Sequence, residues 1–211
     1  MGIVMNQVNY QKELEKILQN LQGRTPKLFL HSCCAPCSSY VLEYLCPYFN
    51  ITVFYYNPNI SSSEEYRKRV EEQKRLIAAY NGEEKGHPIS IVEGDYQPSR
   101  FFEAVKGYEA CREGGERCFR CFDLRLRETA LRAKAAGYDY FGTTLTISPL
   151  KNATKLNEIG QALAEEYGVV WLPSDFKKRN GYKRSVELSA QYELYRQDYC
   201  GCSFSKAERG R

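Results

Sequence analysis

Five short runs rich in β-branched and aromatic residues alternate along this chain with stretches of helical spacing. That alternation limits its fold more than any other feature. The runs are residues 27–30, 51–56, 89–92, 138–145 and 169–172. Helical patterns cover 6–21, a stretch after Ser38 carried by Tyr40, Val41, Leu42, Tyr44 and Leu45, and one from about Ser63 to Tyr80. Others cover 100–106, 118–136, 152–167 and 185–196. Strands separated by helices cannot pair as hairpins, so the expectation is an α/β fold with a mostly parallel sheet and helices on both faces. Ligands of such sheets bind beyond the carboxyl ends of the strands. Residues 33–37, 57–60, 143–148 and 174–179 each follow a strand directly and are expected to converge on one site.

A chain of 211 residues suits a single α/β domain over 1–211, in which 1–25 reads as an N-terminal helical extension. No run of roughly 18 apolar residues occurs, which argues against a membrane span. Residues 1–6 lack the charged-then-apolar layout of a signal peptide, so the expected location is cytoplasmic. Stable disulfides are rare there, and nine cysteines need another explanation, metal ligation first.

Seven of the cysteines fall into three groups: Cys33-Cys34-x-x-Cys37, Cys118-x-x-Cys121 and Cys200-Gly201-Cys202. Cys-x-x-Cys lets two sulfurs reach one metal from a turn or a first helical turn. The intervening Gly201 lets Cys200 and Cys202 swing to one side. Cys33 and Cys34, being adjacent, point apart and can serve different centres. Cys46 and Cys111 stand alone and read as free thiols. The groups spread over about 170 residues and exceed what one zinc or one cubane needs. A working centre with a second metal or a reactive thiol beside it suits that pattern better than a structural zinc, and residues 197–211 would close it.

The motifs His31-Ser32-Cys33-Cys34-Ala35-Pro36-Cys37, Cys118-Phe119-Arg120-Cys121-Phe122-Asp123-Leu124-Arg125-Leu126, Thr143-Thr144-Leu145-Thr146-Ile147-Ser148-Pro149 and Leu194-Tyr195-Arg196-Gln197-Asp198-Tyr199-Cys200-Gly201-Cys202 occur in order. Together they resemble the cobalamin-independent epoxyqueuosine reductase family (QueH). The resemblance runs from Lys27 to Ser205. It implies an adenine-nucleotide-hydrolase-like (HUP, Rossmann-like) fold, a 4Fe–4S cluster and a nearby mononuclear iron. It also implies the two-electron deoxygenation of epoxyqueuosine in tRNA to queuosine and water. Carried onto this chain, it makes Cys33, Cys34, Cys118, Cys121, Cys200 and Cys202 the metal ligands, with Cys37 an unassigned seventh thiol. Asp123 is the favoured carboxylate ligand, ahead of Asp175 and Asp198. Tyr56, Tyr182, Tyr195 and Tyr199 are candidate proton donors, and the electron donor is not identified by the sequence.

Residues 175–184 carry Lys177, Lys178, Arg179, Lys183 and Arg184 with Phe176 and Tyr182 interleaved. Such a stretch can bind phosphates and stack on unpaired bases of an anticodon loop, so tRNA is the expected partner. The basic run 67–69 is interleaved with acids and reads as a paired helix face. His31 is either a ligand-orienting group or a packed core residue. Three other readings compete with the reductase. An ATP-using thiolase needs a Gly-rich phosphate loop where Cys33 to Cys37 stand. A zinc-stabilised RNA-binding module leaves the surplus thiols without a use. Thiol–disulfide exchange at Cys34-x-x-Cys37 leaves Cys118, Cys121, Cys200 and Cys202 unexplained.

Overall fold

The first strand, β1 (Lys27–Ser32), is buried at every position but its first, which only a central strand can be. A computed structural model describes residues 8–210. In it β1 lies between β2 (Asn50–Tyr55) and β4 (Tyr140–Thr143) in a five-stranded sheet of order β3-β2-β1-β4-β5. The outer strands are β3 (Ser90–Glu93) and β5 (Val170–Trp171). Every pairing is parallel.

Alternation along β1 sends Leu28 and Leu30 to one face and Phe29 to the other. The first face packs on α1 (Tyr10–Gln19), α2 (Ala35–Leu45) and α3 (Ser63–Gly82). The second packs on α5 (Glu116–Ala135) and α6 (Ala153–Tyr167). Leu14 and Leu18 of α1 lie in the main core, so the N-terminal helix is a full member of the layer. The part of its expected span before residue 8 lies outside the described residues. β2 and β3 lie to one side of β1, β4 and β5 to the other. Crossovers therefore leave β1 and β4 in opposite directions, opening a crevice at their carboxyl ends.

Several boundaries differ from the sequence pattern. Helix α2 starts at Ala35, not after Ser38, because Pro36 fits a first helical turn where its missing N–H leaves no bond unmade. Cys34 thus becomes the N-cap and Cys37 enters the helix. The fourth strand is shorter than its apolar run and gives way to a 3-10 turn, Leu145–Ile147. Helix α7 spans Gly181–Gln191, where 185–196 was expected, because Asn180 at φ 60 turns the chain into it early. Arg196 consequently stands in irregular chain. Helix α4 (Pro98–Ala104) starts two residues early, again at a proline. A further helix, α8 (Ser203–Glu208), was not anticipated.

Candidate metal centre

Cys33 leaves the carboxyl end of β1, Cys34 caps α2 and Cys37 sits in its first turn. Their sulfurs all lie within 4.8 Å of one another. The Sγ atoms of Cys33 and Cys34 are 3.7 Å apart, and Thr144, just past β4, places its Oγ1 4.0 Å from Cys33 Sγ. The crevice at the sheet's switch point therefore holds three thiols. Hydrogen bonds from the thiols of Cys34 and Cys37 hold Cys33 well below the ordinary thiol range, aided by the charge of Lys151. Sharing its proton with Cys33 pushes Cys34 up to about 12, and Cys37 is raised for the same reason. Cys33 is thus the most readily ionised of the three thiols.

A second group lies alongside. Cys118 and Cys121, one turn apart on α5, meet Cys200 and Cys202 around a cavity of about 20 Å³. Gly201 adopts φ +114, and a Cβ there would lie 2.9 Å from Ile60 and 3.2 Å from Arg69, so no other residue fits. Backbone N–H groups point at two of the sulfurs: Gly114 donates to Cys118 Sγ at 3.2 Å and Ser205 to Cys202 Sγ at 3.3 Å. Burial pushes Cys121 up to about 12 and Cys202 up to about 11, and raises Cys118. Each must lose its proton before it can ligate a cation.

The two groups share a rim. A cleft of about 320 Å³ is lined by Cys33, Cys37 and Cys200, with Lys151, Tyr182 and Tyr199 around it. Cys200 borders both the cleft and the smaller cavity. Thiolate pairs and triads backed by N–H donors and fixed cations can hold soft or borderline metals and leave an open side for a substrate.

Other expected site residues are distributed differently. Asp123 points outward on α5, 42% exposed and 3.3 Å from Arg127, and borders neither cavity. Glu113 is the carboxylate that borders both, held by Ser205 Oγ at 3.1 Å. Asp198 lines the cleft, and Asp175 pairs with Lys177 at 2.9 Å. The basic stretch is only partly free. Arg179 grips Glu15 of α1 at 3.0 and 3.1 Å, and Arg184 grips Glu43 of α2 at 2.9 and 2.8 Å. Lys177 also donates to Thr146 O at 3.2 Å. Lys178 and Lys183 remain exposed, and Tyr182 reaches the cleft.

Tyr199 also lines the cleft, whereas Tyr195 bonds Glu65 at 3.2 Å and Tyr56 is packed in the core. His31 is a core residue: its Nε2 donates to Tyr56 O and its Nδ1 accepts from Thr143 Oγ1, both at 3.0 Å. Burial pushes it down to about 3, so the ring stays neutral. The sequence pattern passed over Lys151 and Arg125. Lys151 lies two residues past the Thr143–Pro149 motif, in irregular chain before α6. Arg125 lies inside the Cys118–Leu126 motif, but charge on a helix reads as surface until packing is known.

Comparison with known proteins adds an independent line. The family model "Epoxyqueuosine reductase QueH" matches residues 28–208. A Staphylococcus epidermidis protein of that name is 43% identical over 207 residues, covering 96% of this chain and 87% of the relative. The Staphylococcus aureus protein of the same name is 42% identical, covering 96% and 86%. That of Thermotoga maritima is 35% identical, covering 86% and 91%.

Proposed function

This chain belongs to the epoxyqueuosine reductase QueH family of oxidoreductases, and on that premise we propose that it reductively deoxygenates the epoxide of epoxyqueuosine in tRNA. The products are queuosine and water, and two electrons are consumed. The observation that carries this reading is the convergence of Cys33, Cys37 and Cys200 on one cleft.

The donor set suits the metals such a reduction needs. Cys118, Cys121, Cys200 and Cys202 would hold a 4Fe–4S cluster, since four thiols, two of them buried and two with N–H donors, surround one pocket. Cys33, Cys34 and Cys37 would hold a mononuclear iron. When bound, these groups supply single electrons and Lewis acidity toward the epoxide oxygen. Asp123 has no part in this assignment, because its carboxylate is engaged with Arg127.

The chain's own residues do the rest. The cleft accommodates one modified base and not a duplex, so the nucleotide must leave its stack to enter. Tyr182, 41% exposed at the rim, offers a ring for that base to stack on. Lys178 and Lys183 can take anticodon-loop phosphates without breaking an existing ion pair. Tyr199 and Lys151 line the cleft beside the thiols and can hold the proton that the departing oxygen requires.

The test is iron, zinc and acid-labile sulfide content on protein purified without oxygen, followed by an epoxide-to-alkene assay on tRNA. More than four irons with about four sulfides per chain, and turnover with dithionite, is the expected result. Zinc without sulfide would overturn the redox reading and leave a structural thiol scaffold.

A further inference from the structure

Three arginines of the described chain are buried. Arg69 is matched by Glu65 at 2.7 Å and Arg117 by Glu208. Arg125 is different. It is 1% exposed, its Nε donates to Cys121 O at 3.1 Å, and its Nη1 reaches Asn57 Oδ1 at 3.5 Å. Its Nη2 has no partner. Both hydrogen-bond acceptors are neutral, and the guanidinium borders the pocket of the four thiols. Cys121, Cys200, Cys33 and Cys118, members of both thiol groups, lie within electrostatic reach of it. Asn57 in turn donates to Ser32 O at 2.8 Å, at the end of β1 beside Cys33.

Burying a cation without an anion costs several kcal/mol, so a fold that keeps one has an anion for it. No carboxylate among the described residues bonds Arg125; thiolates on an iron–sulfide core in the pocket it borders would be that anion, and their net negative charge would grow by one on reduction. A fixed cation beside them stabilises the reduced form more than the oxidised form and raises the reduction potential.

We propose that Arg125 is a positioning residue whose buried charge, set between the two thiol groups, holds the bound iron–sulfur group at a raised reduction potential. This rests on the metal reading given under Proposed function. The test is a redox titration of the anaerobically purified protein, wild type against Arg125→Gln and Arg125→Lys, with iron and sulfide measured on each. In R125Q the reduction equilibrium should shift at least tenfold toward the oxidised form, about 59 mV for a one-electron couple, at an unchanged iron-to-sulfide ratio. R125K keeps the charge and should stay near wild type.

A purely structural arginine would lower loading in both variants and leave the potential of whatever cluster remains unmoved. An R125Q potential equal to wild type on a loaded cluster overturns this inference alone. If R125Q does not fold, Arg125→Met, a neutral side chain of similar length, takes its place: a tenfold shift toward the oxidised form on a loaded cluster supports the charge, and an unmoved potential overturns it. Zinc without sulfide in the wild type overturns both this inference and the reading beneath it.

Discussion

Burial raises Cys118, Cys121 and Cys202, whereas two neighbouring thiols lower Cys33. The difference separates a group whose thiols resist ionisation from one with a thiol that ionises readily. Cys118→Ser should therefore abolish sulfide binding and lower turnover by more than roughly 100-fold, beyond the usual effect of losing a supporting group. Cys46→Ala and Cys111→Ser should leave metal content unchanged, since neither sulfur borders the cleft or the thiol pocket. Metal analysis on the three variants checks both statements. His31 belongs to the same scale. His31→Leu strands the Tyr56 carbonyl in the core and takes one partner from Thr143. Urea unfolding should show a loss of about 2–4 kcal/mol. Metal content should persist if His31 acts only by packing.

Helices deliver these residues, and their packing fixes where each sulfur points. On α5 the i,i+3 spacing of Cys118 and Cys121 already put both on one face, and the structure keeps them there. For α2 the sequence pattern began the helix too late, because apolar spacing is silent about a first turn made of Pro36 and small residues. That shift brought Cys37 into the triad. Helix α6 shows how tightly the layers close. A Cβ on Gly160 would lie 2.3 Å from the Trp171 ring, whose Nε1 donates to Asn157 at 3.0 Å. Gly160→Ala should cost about 1–3 kcal/mol by overpacking. At ~2–4 °C per kcal/mol for a chain of this size, calorimetry should resolve the drop.

For the molecule as a whole, the C-terminal segment is an addition to a sheet that is complete without it. Cys200 and Cys202 reach α5 through a segment anchored by Ser61, Arg69 and Glu113. A chain ending at Gln197 should keep its far-UV circular dichroism and bind no acid-labile sulfide. Retained sulfide would show that residues 198–211 are not needed to hold the cluster. Stripping metal from the full chain should likewise lower its melting temperature, because ligands bound only by the folded form stabilise it.

The alternation of strands and helices was legible from sequence, since periods of two and of about 3.6 are local properties of the backbone. Cysteine spacing pointed to metal ligation for the same reason. No local pattern could divide seven thiols between two neighbouring pockets. Nor could it turn Arg179 and Arg184 toward Glu15 and Glu43 or leave Asp123 paired on an outer face. It also could not mark Arg125 as a buried charge. Those outcomes depend on which residues far apart in the chain become neighbours, and only the packing of helices against a closed sheet decides that.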